Sequence, residues 1–250
     1  MLSKKLLQTN SGVNLTPASD SNAANLVLAY PFNNEFGLRD MSYDIKSRLG
    51  VVSQPTDTLN MARYLSTTAN ITTSDYKFYG SSLQAGDPGG GPIRIRSESN
   101  FAGLTNTTWT IEFWLKIPVT GSQSFSPFYY ESGGQGLNIA IDWVSTGTYY
   151  NRMAVLVNSQ LRVRSTIQLP TNTWFHVAVT RNGSYNYLWI NGVNRGQEYA
   201  VTSTSVTSDV INLLTGFDTN QDLTKMQDFR LYDSVAKYTS SFTPPGAMYI

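Results

Sequence analysis

The chain contains no cysteine, which excludes disulfides, thiolate metal sites and cysteine nucleophiles. It holds one histidine, so a metal site built on two histidines of one chain is excluded too. Charge is scarce: Asp, Glu, Lys and Arg make up 14%, well below the roughly 25% of ordinary soluble domains. The 18 basic and 17 acidic side chains leave a net charge of +1. That supplies no basic field for nucleic acid and little attraction to anionic lipid. No apolar run approaches the roughly 18 residues of a membrane-spanning helix. Met1–Gln8 offers only Leu6-Leu7 behind Lys4-Lys5, short of the roughly 7–15 apolar residues of a secretory leader. The composition therefore predicts no nucleic-acid binding, no membrane insertion and no secretory signal.

What is present is hydroxyl and amide. The 250 residues include 27 serines, 27 threonines and 20 asparagines, about 30% of the chain, beside 40% hydrophobic and 12% aromatic residues. That is enough apolar material for a real core. Residues 1–24 are polar and without periodicity, which predicts an extended N-terminal arm. From 25 to 250 short apolar clusters recur between Gly, Pro, Asn and Ser, the rhythm of a single all-β domain. In residues 110–117, Ile111, Phe113, Leu115 and Ile117 alternate with Thr110, Glu112, Trp114 and Lys116. Phe175, Val177 and Val179 repeat the pattern opposite Trp174, His176, Ala178 and Thr180. Leu188 and Ile190 stand opposite Tyr187 and Trp189, and Phe229 and Leu231 opposite Asp228, Arg230 and Tyr232. Period-two alternation predicts strands with one apolar face and one solvated face, and two such sheets cover each other's apolar sides. Weaker strands are expected at 93–96, 137–143, 153–157 and 161–169, and one short helix at 56–64. The predicted fold is an antiparallel two-sheet β-sandwich.

Three segments resemble the laminin G-like branch of the concanavalin A-like jelly-roll superfamily. Trp109-Thr110-Ile111-Glu112-Phe113-Trp114-Leu115 is similar to its "W-T-[IV]-E-x-W" strand. Trp174-Phe175-His176-Val177-Ala178-Val179-Thr180-Arg181 followed by Leu188-Trp189-Ile190-Asn191-Gly192 resembles its most recognisable hairpin. Met226-Gln227-Asp228-Phe229-Arg230-Leu231-Tyr232 is similar to its closing strand. The tail, residues 234–245, looks like the "G-V-A-R-Y-T-x-x-F-T-P-P" ending of such domains in bacteriophage virion proteins. The resemblance implies a non-enzymatic phage virion protein: a capsid decoration, fibre or tail appendage displaying a lectin-like sandwich. It would be a homo-oligomer, with the arm docking on other capsid or tail proteins. The alternative it implies is a glycan-binding lectin that attaches to host or environmental polysaccharide.

Site residues are weighed against ordinary structural roles. Glycoside hydrolysis needs two carboxylates about 5–5.5 or 6.5–9.5 Å apart, and no strand shows such a pair; Glu112 and Asp142 stand alone. His176 is accounted for by the hairpin as a structural residue. Many relatives bind calcium through loop oxygens. The candidate ligands here are Asp218, Asn220 and Asp222, against an ordinary strand connection that Asp and Asn equally favour. No other cofactor is implied. Gly86–Pro92 lacks the lysine and helix of a phosphate cradle and reads as a turn. Sugar stacking or partner contact is expected of the loop-like pairs Tyr129-Tyr130 and Tyr149-Tyr150, with Trp143 and Asn151 nearby. Trp114, Tyr187 and Trp189 on strand faces are further aromatic candidates.

Overall fold

Ile, Phe and Leu at every second position of residues 111–117 need one side of an extended chain buried. The computed structural model describes residues 20–33, 40–42, 63–64, 70–85, 93–96, 104, 107–118, 125–132, 135–142, 150–183, 185–199, 210–216 and 223–247. In chain order the strands are β1 (Leu26–Tyr30), β2 (Arg63–Tyr64), β3 (Asn70–Thr72), β4 (Ser82–Gln84), β5 (Ile93–Arg96), β6 (Thr108–Lys116), β7 (Phe125–Ser132) and β8 (Gln135–Asp142). They continue with β9 (Arg152–Val157), β10 (Gln160–Arg164), β11 (Phe175–Asn182), β12 (Tyr185–Ile190), β13 (Val193–Tyr199), β14 (Val210–Gly216) and β15 (Lys225–Asp233). The first sheet runs β13-β12-β11-β6-β15-β4-β3, and the second β10-β9-β8-β7-β14-β5-β2. Strand β1 lies beyond β4 along the same edge of β15 and pairs with its residues 229–232. All these pairings are antiparallel. This is the expected two-sheet sandwich. The helix expected at 56–64 is not realised at its end, where Arg63 and Tyr64 pair with Arg96 and Ile95; residues 56–62 lie outside the described residues.

The apolar faces meet as foreseen. Ile111, Phe113, Leu115, Val177, Val179, Leu188 and Leu231 of the first sheet pack against Phe128, Ile139, Val155, Ile211 and Leu213 of the second in one core. Phe229 stacks on Phe113 at 6.5 Å and on Phe128 at 6.0 Å, so a single ring couples the sheets. Each such buried ring contributes about 1.5–3 kcal/mol.

The other face of the first sheet departs from expectation. Thr110, Glu112, Trp114, His176, Thr180, Asp228, Arg230 and Tyr232 were expected in solvent and are all buried. Three segments without regular strand structure cover them. The tail after β15 is stitched down by Thr110, whose hydroxyl donates to Val235 O at 2.9 Å and accepts the Lys237 N–H at 2.9 Å. Thr180 donates to Tyr238 O at 3.1 Å, and Arg230 to Gly246 O at 3.1 Å. The loop before β4 is held by Gln227, whose Oε1 accepts the N–H groups of Lys77 and Phe78 at 2.9 and 2.7 Å. The described end of the predicted arm, from Asp20, is docked as well: Tyr232 donates to Asp20 Oδ2 at 2.6 Å. Residues 1–19 lie outside the described residues.

Gly192 marks the tightest approach of tail to sheet. The Phe242 N–H donates to its carbonyl at 3.0 Å, φ is +75°, and a Cβ there would fall 1.8 Å from Phe242 O. Gly80 has the same φ with nothing within 4 Å of the added atom, so the pair separates backbone strain from collision. We predict that Gly80→Ala costs about 1 kcal/mol, whereas Gly192→Ala costs at least ~2 kcal/mol more. Urea unfolding midpoints at equal m-value measure both; equal losses would show that the tail yields freely.

Candidate functional site

The covered face is organised around one acid. Glu112, 1% exposed in the middle of β6, accepts from Lys237 Nζ at 2.7 Å and from the Tyr238 hydroxyl at 2.5 Å. Arg230 Nη1 stands 3.7 Å away, and His176 Nε2 lies 3.3 Å from Oε2, close but not aligned as a hydrogen bond. Burial pushes the Glu112 pKa up. The Lys237 charge, the His176 contact and Arg230 outweigh it and hold the carboxyl well below its ordinary range. Burial also pushes the Tyr238 phenol up, and the neighbouring Glu112 charge raises it further, so the phenol stays a donor. His176, 1% exposed, is lowered by burial, a cost of charging it that its contact with Glu112 does not recover. Its ring sits edge-on to Trp114, Tyr238 and Phe242 at 5.4, 6.4 and 5.8 Å. A bulge in β15 between Gln227 and Arg230, with Asp228 at φ +54°, turns Asp228 onto the same face. There it accepts from Tyr79 at 2.9 Å and from Arg230 at 3.2 Å.

The expected contact residues separate. Tyr129 and Tyr130 belong to β7 rather than to a loop, so their rings point to opposite sides. Tyr129 is half-buried; Tyr130 is fully buried in the core, which removes it from any surface contact. Asn151, at φ +53°, shapes the turn before β9 and donates its side chain to Leu169 O at 2.9 Å. It is buried there, and Tyr150 beside it is half-buried. Trp143, Tyr149, Asp218, Asn220 and Asp222 lie outside the described residues. Among the described residues no group of three His, Asp or Glu side chains converges as a metal site.

The strand-face aromatics form a row instead. Tyr185 lies 6.0 Å from Tyr187, Tyr187 stacks on Trp189 at 5.7 Å, and Trp189 meets Phe242 at 5.7 Å. Phe242 stacks on Tyr238 at 3.5 Å. Trp189 is fixed by its indole N–H, which donates to Thr180 at 3.0 Å. The tail covers one end of the row and leaves the other open: Tyr185 is 39% exposed and Tyr187 half-buried. Around the open end the sheet pairs Tyr185 with Asn182 and Tyr187 with Gln197, and Asn194 donates to Gln197 at 3.3 Å. Two rings flanked by three amides form an uncharged platform.

Residues 87–237 match the model of a laminin G-like family described as the concanavalin A-like lectin/glucanases superfamily. The chain belongs to this superfamily. No curated protein matches it in sequence. Among solved structures it is similar to the binding domain of paraclostridial mosquitocidal protein 1, with TM-score 0.63, 14% identity, and coverage of 88% of this chain and 50% of that one. It is also similar to the botulinum neurotoxin serotype D binding domain (TM-score 0.60, 15% identity, 86% and 49% covered). A third is the botulinum neurotoxin DC binding domain in complex with SialylT (TM-score 0.60, 16% identity, 85% and 48% covered). At these identities the likeness is one of fold, and the chain spans about half the length of those chains.

Among the described residues the covered sheet face of this concanavalin A-like sandwich carries two acids, Glu112 and Asp228, and both stand beside Arg230. Their chemistry is neutralisation: they anchor cations and phenols in a place water does not reach. His176, expected as a structural residue, is buried against Glu112 and the Trp114, Tyr238 and Phe242 rings. The single histidine also gives a clean pH signature. Its folded pKa lies below its unfolded value near 6.5, so the unfolded chain binds the proton first and stability falls as pH drops below that value. Urea midpoints should therefore fall between pH 7 and pH 5, and His176→Gln should flatten that part of the profile. An unchanged slope in the variant would place the sensitive group elsewhere.

Proposed function

We propose that this chain is a non-catalytic carbohydrate-recognition module, a lectin in function as well as in fold. The observation that carries this is the open end of the aromatic row. Tyr185 and Tyr187 stand 6.0 Å apart on a rigid strand, backed by Trp189 and flanked by Asn182, Gln197 and Asn194. Apolar ring faces suit the C–H face of a sugar, and amides donate to and accept from its hydroxyls. The described residues of the platform carry no charge, which suits a neutral saccharide, and its rings are already ordered by stacking, which lowers the entropic cost of binding. The complex of the botulinum neurotoxin DC binding domain with SialylT supports carbohydrate as the ligand class on this fold. The burial and neutralisation of Glu112 and Asp228 support recognition without catalysis.

A second, compatible reading places the module on a bacteriophage particle as a decoration, fibre or tail appendage. It is favoured by the tail at 234–245, which looks like the ending of such domains in virion proteins. Residues 1–19 would dock on neighbouring capsid or tail proteins, and the module would assemble as a homo-oligomer.

Two outcomes test these readings. On a glycan array and by calorimetry the chain should bind a neutral oligosaccharide reproducibly, and Tyr187→Ala should weaken it about tenfold, ~1.4 kcal/mol, while still unfolding cooperatively well above the assay temperature. The absence of any reproducible hit removes the lectin reading. Deleting residues 1–19, which spares Asp20, should abolish incorporation into phage particles while leaving thermal unfolding unchanged. Undiminished incorporation would show that the arm is not the anchor.

A further inference from the structure

A second cluster lies on the same sheet at the far end of β6. Lys116 and Lys225 face each other directly across β6 and β15, an arrangement in which like charges oppose the pairing. Asp75, in the loop before β4, sits over both: its Oδ2 is 2.6 Å from Lys116 Nζ and 3.9 Å from Lys225 Nζ. Its Oδ1 accepts the indole N–H of Trp174 at 3.1 Å. The loop is pinned, since Ser82 donates to Asp75 O at 2.7 Å and Gln227 takes the next two N–H groups but one. A third ammonium, Lys77, stands 4.4 Å over the Trp114 ring. Among the described residues, Lys116 and Lys225 therefore share one carboxylate while Lys77 rests on the Trp114 and Phe78 rings with no acid beside it, so three lysines stand against one acid in a chain whose net charge is +1. Burial lowers the Lys225 pKa; Asp75 raises it and Lys116 lowers it further, so the opposed pair is only partly relieved. Beside this charge lie partly exposed rings and apolar surface: Tyr76 is 48% and Leu223 59% exposed, and Trp174 is half-buried.

We propose that this end of the sheet is a binding site for an acidic saccharide, one whose ring carries a carboxylate. The cations supply what an anionic group needs and the adjacent Trp174 and Tyr76 rings offer faces for the sugar. Lys116 and the exposed Lys77 reach the carboxylate, while Asp75 keeps Lys116 and Trp174 in place and accepts from ring hydroxyls through its remaining lone pairs. By strand rise and spacing the cluster lies on the order of 25 Å from the Tyr185–Tyr187 platform. The two sites thus serve different parts of a long polymer or different ligands. The inference rests on the carbohydrate reading of the chain but on none of the platform's residues.

The test uses the full chain and three probes: a trisaccharide of hexuronic acid, its carboxyl-reduced neutral counterpart, and inorganic sulfate. The acidic trisaccharide should bind at least tenfold more tightly than the neutral one at low salt, and several-fold more weakly in 0.5 M sodium chloride, because exposed charge is screened. Lys77→Gln and Lys116→Gln should each reduce that affinity at least fivefold, and Lys77→Gln should do so with an unchanged melting temperature. Tyr187→Ala should leave it intact. Equal binding of acidic and neutral probes, or insensitivity to both lysine substitutions, overturns the proposal. So does sulfate that displaces the acidic trisaccharide at equal concentration, which would assign the patch to free anions. Failure of the acidic probe beside Tyr187-dependent binding of a neutral glycan refutes this site alone.

Discussion

A carboxylate in the middle of a sheet face, shielded from water, has to be neutralised within reach or protonated. Glu112 is neutralised, and what neutralises it comes from outside its own strand: Lys237 and Tyr238 belong to the tail, Arg230 to the neighbouring strand. The tail is therefore part of the fold's electrostatics. Lifting it would leave a buried charge without its closest cation. The same segment delivers Phe242 to Trp189 and closes the aromatic row. Charge pairing fixes where the tail lies, hydrogen bonds from Thr110 and Thr180 fix its register, and ring stacking fills the space between.

The strands were legible because alternation is a local property. β6, β11, β12 and β15 declare their faces in the order of their residues. Alternation identifies two faces, however, and does not say what covers the second. Thr110, Glu112, His176 and Asp228 looked solvated because they are polar; the signal that they are not was the company they keep, Trp114 and Trp189 on the same faces. The tail was visible in the sequence only as a resemblance, because the contacts that hold it to β6 join residues more than a hundred positions apart. Asp75 and Trp174 escaped notice for the same reason: each is ordinary in its own segment, and only the fold brings them within 3.1 Å. Tyr130 was misplaced by treating two neighbouring tyrosines as a loop pair, where strand geometry sends them to opposite sides.

The distribution of polarity follows from this arrangement. Much of the chain's limited charge described on the first sheet is drawn into the covered face, where each acid holds cations or phenols. Amide side chains then flank the open end of the aromatic row at Tyr185 and Tyr187, while the opposite end of the sheet keeps its lysines. A sheet face sealed in its centre and open at its ends gives surface rings a stiff support, because Tyr187 rests on Trp189 and Trp189 on the tail. Recognition on such a face is sensitive to the packing beneath it even where no ligand reaches.

The clasp formed by Asp20, Tyr232 and Lys237 has a mechanical meaning. Lys237 donates to the Tyr232 hydroxyl at 2.9 Å and stands 3.5 Å from Asp20. β1 begins opposite the end of β15, with Leu26 paired to Tyr232. A force drawing residue 20 away from residue 237 would thus peel β1 from β15 like a zipper, loading its hydrogen bonds one after another. The clasp sits at the mouth of that zipper. Tension must part a hydrogen-bonded and ion-paired junction before it reaches the first rung of the ladder, so a module tethered through one end and pulled through the other meets its resistance at the outset.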